Sequence, residues 1–188
     1  MKRGPAAAAR YLLFALYPLL IFVGLQFLQA RTVGICVLIA LAIRYRRTAL
    51  HMVSGFSPGQ WLAVALPVLL GAAVVATNSE TLLLLYPASI SASMLIIFGS
   101  TLFKPPTMVE RLARLREPNL PEQSIRYTRR VTEAWCVFFV CNGAIAVYTA
   151  LYASREAWAL YNGFIAYLLM GALFAGERLV RRRVLSAA

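Results

Sequence analysis

Seventeen of the nineteen Lys and Arg residues fall in alternate gaps between long apolar stretches. The gaps at 2–10, 44–47, 104–130 and 178–183 hold all seventeen, and the intervening gaps hold only Arg31 and Arg155. Short loops rich in Lys and Arg stay on the cytoplasmic side of a membrane. The pattern therefore predicts a polytopic membrane protein with both termini in the cytoplasm. It also accounts for the net charge of +12. Because that charge borders apolar spans, it argues against a nucleic-acid partner, whose footprint is a basic patch on a soluble fold.

The chain is 61% hydrophobic, where ordinary globular domains are about half apolar. Its 188 residues leave room for about six spans of roughly 20 residues. The expected fold is all-α, a single membrane domain over 1–188 with about six transmembrane helices and one short interfacial helix. The spans are expected at about 11–28, 32–45, 61–77, 81–102, 131–152 and 158–180, with a cytoplasmic loop at 104–130. The basic start, apolar core and Ala30 resemble a secretory signal. Pro18 interrupts that core, and Leu28 and Ala30 form a mediocre cleavage pair, which favours an uncleaved first span. Trp158 and Tyr161 are expected at the outer face and Trp135 at the inner one, with Trp61 as an anchor at the start of the third span, as interfacial aromatics.

The loop carries its own structural signals. Pro105 and Pro106 end the fourth span. Thr107 is placed to cap a short helix through about Arg116. Met108, Val109, Leu112 and Leu115 share one face of it, and Glu110, Arg111, Arg114 and Arg116 the other. That pattern reads as an amphipathic helix on the cytoplasmic leaflet. Pro118 and Pro121 break it, and a new helix begins near Glu122. Anionic phospholipid at that face is the expected partner of the basic residues, at about 1 kcal/mol per residue near the surface. An acidic protein such as an acyl carrier protein is the sharper alternative.

Polar groups inside spans are the usual functional pointers in membrane proteins. Ser89, Ser91, Ser93, Gly99 and Ser100 form a small polar stripe on the fourth span, read as helix packing before transport path. Asn142 is the deepest polar residue of the fifth span. Asn162 and Tyr148 come out at similar depth, which makes a bond between them plausible, and Asn142 then needs another partner. Gly171-x-x-x-Ala175 and Ala172-x-x-x-Gly176 mark a close helix contact, within the chain or in a homodimer. Glu177-Arg178 at the end of that helix suggests a salt bridge or a headgroup contact. Cys36, Cys136 and Cys141 lie in apolar runs and read as small hydrophobes. His51 is the single histidine. No catalytic, cofactor or metal site is expected, because phosphate loops, Ser/His/Asp sets, HExxH and CxxC motifs do not occur in the sequence.

Several residues together resemble the intracellular septation protein A family of bacterial inner-membrane proteins. They are Lys104-Pro105, Arg111 and Leu112, Leu120-Pro121, Ala134-Trp135, Phe138-Phe139, Gly143, Tyr148, Ala150 and Trp158, spanning roughly 82–170. The first half agrees in its short early spans and Pro18-Leu19. Tyr127-Thr128-Arg129, Val131-Thr132, Trp158-x-x-Tyr161-Asn162-Gly163 and Gly176-Glu177 resemble more closely a set of small inner-membrane proteins encoded near aryl-polyene and fatty-acid-synthase-like gene clusters. The first resemblance implies a non-enzymatic structural or interaction role in the cell envelope, with a membrane-protein partner. The second implies an accessory that handles or flips an acyl lipid, and a small transporter is a third reading. Lys104, Pro105, Arg111, Leu112, Arg114, Arg129, Trp135, Asn142, Gly143, Tyr148, Trp158, Asn162 and Glu177 are the candidate interaction and packing residues.

Overall fold

The computed structural model describes residues 29–39, 58–115 and 117–186. The first expected span, the end of the second, His51 and Arg116 lie outside those residues. Among the described residues all regular structure is helical: α1 (Ala30–Ile39), α2 (Pro58–Thr77), α3 (Glu80–Leu84), α4 (Tyr86–Phe103), α5 (Met108–Arg114), α6 (Glu122–Tyr152), α7 (Arg155–Leu160), a π turn (Tyr161–Ile165) and α8 (Ala166–Ser186). Four helical segments are long and apolar enough to cross a membrane: α2, α4, α6 and the continuous run from Arg155 to Arg181. The chain is thus an all-α, membrane-associated helical bundle.

At the centre is α4, packed on α2 along one side and on α6 along the other. The polar stripe explains how α4 serves two neighbours. Ser89, Ser91 and Ser93 each donate back to a carbonyl of α4, on Tyr86, Pro87 and Ser89 respectively. Their hydroxyls are thereby satisfied within the helix, and their small size lets neighbouring backbones approach. From α2, Gln60 donates to the Ile97 carbonyl at 3.3 Å and to Ser100 Oγ at 3.0 Å. Gln60 had no place in the sequence reading because it precedes the apolar run of its span.

The segment α1 lies against α2 through a pair of glycines. A Cβ at Gly34 would stand 2.9 Å from Val74 Cγ1, and one at Gly71 would stand 2.7 Å from Leu38 Cδ2. The turn from α2 to α3 is short because Asn78 takes a positive φ of 54°, a conformation Asn tolerates better than most residues. Its Oδ1 accepts the Arg31 backbone N–H at 2.8 Å. Ser79 then caps α3, accepting from the Leu82 N–H.

Two expected spans are not uniform helices. The span over 81–102 is broken at Leu85 into α3 and α4. Pro87, which stands in the first turn of α4, has no N–H to offer and its ring crowds the preceding turn. The last span widens into the π turn, where the Ala166 N–H bonds Tyr161 O five residues back. Both irregularities lie toward the Asn78 end. There Arg155 of α7 forms an ion pair with Glu80 of α3, at 2.6 Å and largely open to solvent.

The longest helix, α6, has 31 residues. That is about 46 Å at 1.5 Å per residue, against a hydrocarbon core of about 30 Å. Its first turns, Glu122 to Arg130, are the polar excess, and they carry the ion pair of Arg126 with Glu122. The helix starts at Glu122 as expected from Pro121, and α4 stops at Phe103 ahead of Pro105.

Candidate functional site

Two polar clusters and one apolar cleft use most of the residues singled out in the sequence. The first cluster joins α4, α6 and the π turn. Asn142 Nδ2 donates to Ser91 Oγ at 3.0 Å, and Asn142 Oδ1 accepts from the Tyr161 hydroxyl at 3.2 Å. The amide orientation is fixed by chemistry. Ser91 already gives its proton to Pro87 O, so it can only accept from Asn142. Gly143, the next residue, makes the approach possible: a Cβ there would come within 3.2 Å of Ser91 Cβ. Asn142→Leu removes two interhelical bonds. Such bonds average about 0.6 kcal/mol and reach about 1.7, so a loss of about 1–2 kcal/mol is expected, with membrane insertion unchanged. Unfolding in mixed detergent micelles measures it.

Asn162 does not meet Tyr148. Its Nδ2 donates to Thr149 Oγ1 at 3.2 Å and to Trp158 O at 3.0 Å. Tyr148 is exposed and stacks on Tyr152 instead, with ring centroids 5.7 Å apart. Residues 148 and 149 are neighbours in depth but point about 100° apart on a helix, and Thr149 is the one turned inward. The Trp158 carbonyl can only accept, so the Asn162 nitrogen must face it. This leaves Asn162 Oδ1 buried without a hydrogen-bond partner.

Two of the three expected interfacial tryptophans are buried in the bundle. Trp158 is 1% exposed, and its indole N–H donates to Leu84 O at 2.9 Å. Leu84 ends α3, and the last carbonyls of a helix need outside donors. Trp135 is also buried. It sits among Phe98 of α4, Phe138 and Phe139 of α6, and Phe174 of α8, the last with a centroid separation of 4.6 Å. Trp61 alone of the three remains half exposed.

The second cluster clamps α5. Thr107 and Glu110 form a reciprocal capping box. Thr101 Oγ1 of α4 accepts the Met108 N–H at 2.9 Å, and Thr132 Oγ1 of α6 accepts the Val109 N–H at 3.4 Å. Three hydroxyls therefore consume the first N–H groups of α5. Glu110, expected on the solvent face, is buried, and Arg114 holds it at 2.8 Å while also donating to Pro118 O. Arg111 is tied to Pro106 O at 3.0 Å. The helix is shorter than expected, ending at Arg114. It turns its Glu110 face inward and its Leu112 and Leu115 face outward, with Phe103, Lys104 and Pro105 exposed nearby.

At the same end, Arg129 bridges Glu133 at 3.2 Å and donates to Leu102 O at 3.1 Å. Glu177 receives the Tyr127 hydroxyl, on its backbone carbonyl at 3.0 Å and on Oε1 at 3.4 Å, where a salt bridge or headgroup had been expected. The small-residue face of α8 is exposed: among the described residues, a Cβ at Gly171 or Gly176 would meet nothing within 4 Å.

The cleft lies between α4 and α6, beside Gly143. Ala88, Ala92 and Leu95 form one wall, with Phe139, Gly143 and Ala144 on the other, around a volume of about 250 Å³ that is open along one side among the described residues. No family model, no curated protein and no solved structure matches the chain.

Proposed function

We propose that this chain is a multi-pass protein of the bacterial inner membrane, with both termini in the cytoplasm. In this reading it acts without catalysis, as a structural or interaction component of cell-envelope biogenesis. The observation that carries the reading is the clamped α5. Hydroxyls from α4 and α6 fix a seven-residue helix so that Leu112 and Leu115 face outward. A short isolated helix is unstable in water, so holding one in place takes dedicated contacts. The outward apolar pair beside Lys104 suits a surface at the membrane boundary, where a neighbouring membrane protein can dock. The resemblance to the septation family through Lys104-Pro105, Arg111 and Leu112 supports the same surface.

Arg111 and Arg114 are poor test positions, because both tether the loop. Leu112 and Leu115 carry no such duty. A photoreactive residue at either position should yield an adduct, in living cells, with a component of the division or elongation machinery, identified by mass spectrometry. An adduct with an acyl carrier protein or lipid alone would overturn the scaffold reading in favour of acyl-lipid handling. With Cys36, Cys136 and Cys141 replaced by Ala, Leu115→Cys should react only with a thiol reagent that reaches the cytoplasm. Labelling from the periplasm would overturn the topology.

A further inference from the structure

We infer that the α4–α6 cleft holds one acyl chain of an anionic phospholipid whose phosphate sits at Lys104 and Arg129. The first ground is the shape and chemistry of the cleft. Ala88, Ala92, Gly143 and Ala144 leave a volume of about 250 Å³ between two helices long and apolar enough to cross a membrane. Water is a poor filler, because it needs two to four polar partners and the lining residues have apolar side chains. The open side makes the cleft accessible to hydrocarbon without displacing a helix.

The second ground is charge. The seam between α4 and α6 continues from the cleft past Gly99, whose Cβ position lies 4.0 Å from Cys136 Sγ, to Arg129 against Leu102 O. Eleven residues separate Val140 at the cleft from Arg129, about 16 Å of helix. Half a hydrocarbon core is about 15 Å. A lipid with its phosphate beside Arg129 and the exposed Lys104 therefore reaches the cleft with the distal part of its chain. Arg129 is half exposed and shares Glu133, which leaves guanidinium surface for a phosphate oxygen. The lipid site shares Lys104 with the surface at α5, and adducts inside the cleft, which docking at Leu112 and Leu115 does not predict, separate the two readings.

The test uses the full chain in phosphatidylethanolamine vesicles doped with phosphatidylglycerol that carries a diazirine near the end of one acyl chain. Adducts should concentrate within 88–95 and 139–147. Ala144→Leu should lower them severalfold relative to adducts elsewhere on the chain. Lys104→Gln with Arg129→Gln should remove the advantage of unlabelled phosphatidylglycerol over phosphatidylcholine as a competitor. Adducts spread evenly over the exposed faces of α2, α6 and α8 would overturn the site, as would a cleft signal that Ala144→Leu leaves unchanged. Chemical crosslinks joining the cleft to residues 1–28 would also overturn it, by giving the cleft to the chain itself. Should a variant fail to insert, competition on the unmodified chain decides: equal displacement by both lipids overturns the preference for an anionic lipid, and with it the proposal.

Discussion

Trp158→Ala should cost about 3 kcal/mol, the low end for deleting a buried Trp. Inside a bilayer the transfer component of such a deletion lapses, because lipid is as apolar as the core, while the lost packing remains. Trp158 is among the largest fully buried side chains, and it alone supplies the indole N–H that Leu84 O receives. Trp158→Phe keeps most of the volume and loses the donor, so about 1–2 kcal/mol is expected, the cost of leaving a buried acceptor unmet. Reversible unfolding in detergent micelles separates the two. Equal losses for Phe and Ala would assign the whole effect to the hydrogen bond. A negligible loss for both would show that the junction between α3 and α7 is not the anchor described above.

The double variant Thr101→Val with Thr132→Val should free α5 while leaving the long helices assembled. Each change removes an acceptor for a helix N-terminal N–H and keeps the side-chain volume. Loss of such an acceptor costs about 1 kcal/mol. Together about 2 kcal/mol raises local opening roughly 30-fold, since 1.4 kcal/mol is tenfold. Hydrogen exchange of Met108–Arg114 reads it directly, and near-ultraviolet signals from Trp135 and Trp158 should not move. A loss of those tertiary signals would mean that the clamp also supports the α4–α6 seam. Unchanged exchange would mean that the capping box of Thr107 and Glu110 suffices.

What could be read from the sequence was local chemistry. Pro105, Thr107, Pro121 and Glu122 mark ends and starts of helices through steric and capping rules, and the helices obey them within two residues. Asn142 announced itself because an amide inside an apolar run needs a partner, and Gly143 beside it leaves room for Ser91. Partner identity was hidden. Periodicity gives the face of one helix, whereas Ser91, Asn142 and Tyr161 meet through the relative rotation of three. Tryptophan at a span end reads as an interface anchor on frequency alone, and frequency does not tell that Trp135 and Trp158 turn into the bundle. Thr101 and Thr132 look like ordinary small residues near span ends. Their role depends on a loop helix folding back over both. The π turn had a faint signal, Asn162-Gly163, which is too common a pair to call a wide turn.

The Ser91–Asn142–Tyr161 relay also sets an order of biosynthesis. Ser91 leaves the ribosome first, Asn142 about fifty residues later, and Tyr161 and Trp158 last. Until the last helix enters the bilayer, Asn142 Oδ1 and the Leu84 carbonyl lack the donors that Tyr161 and Trp158 bring. A chain stopped after α6 therefore lacks both donors. Arrival of the final helical segment supplies them in one step.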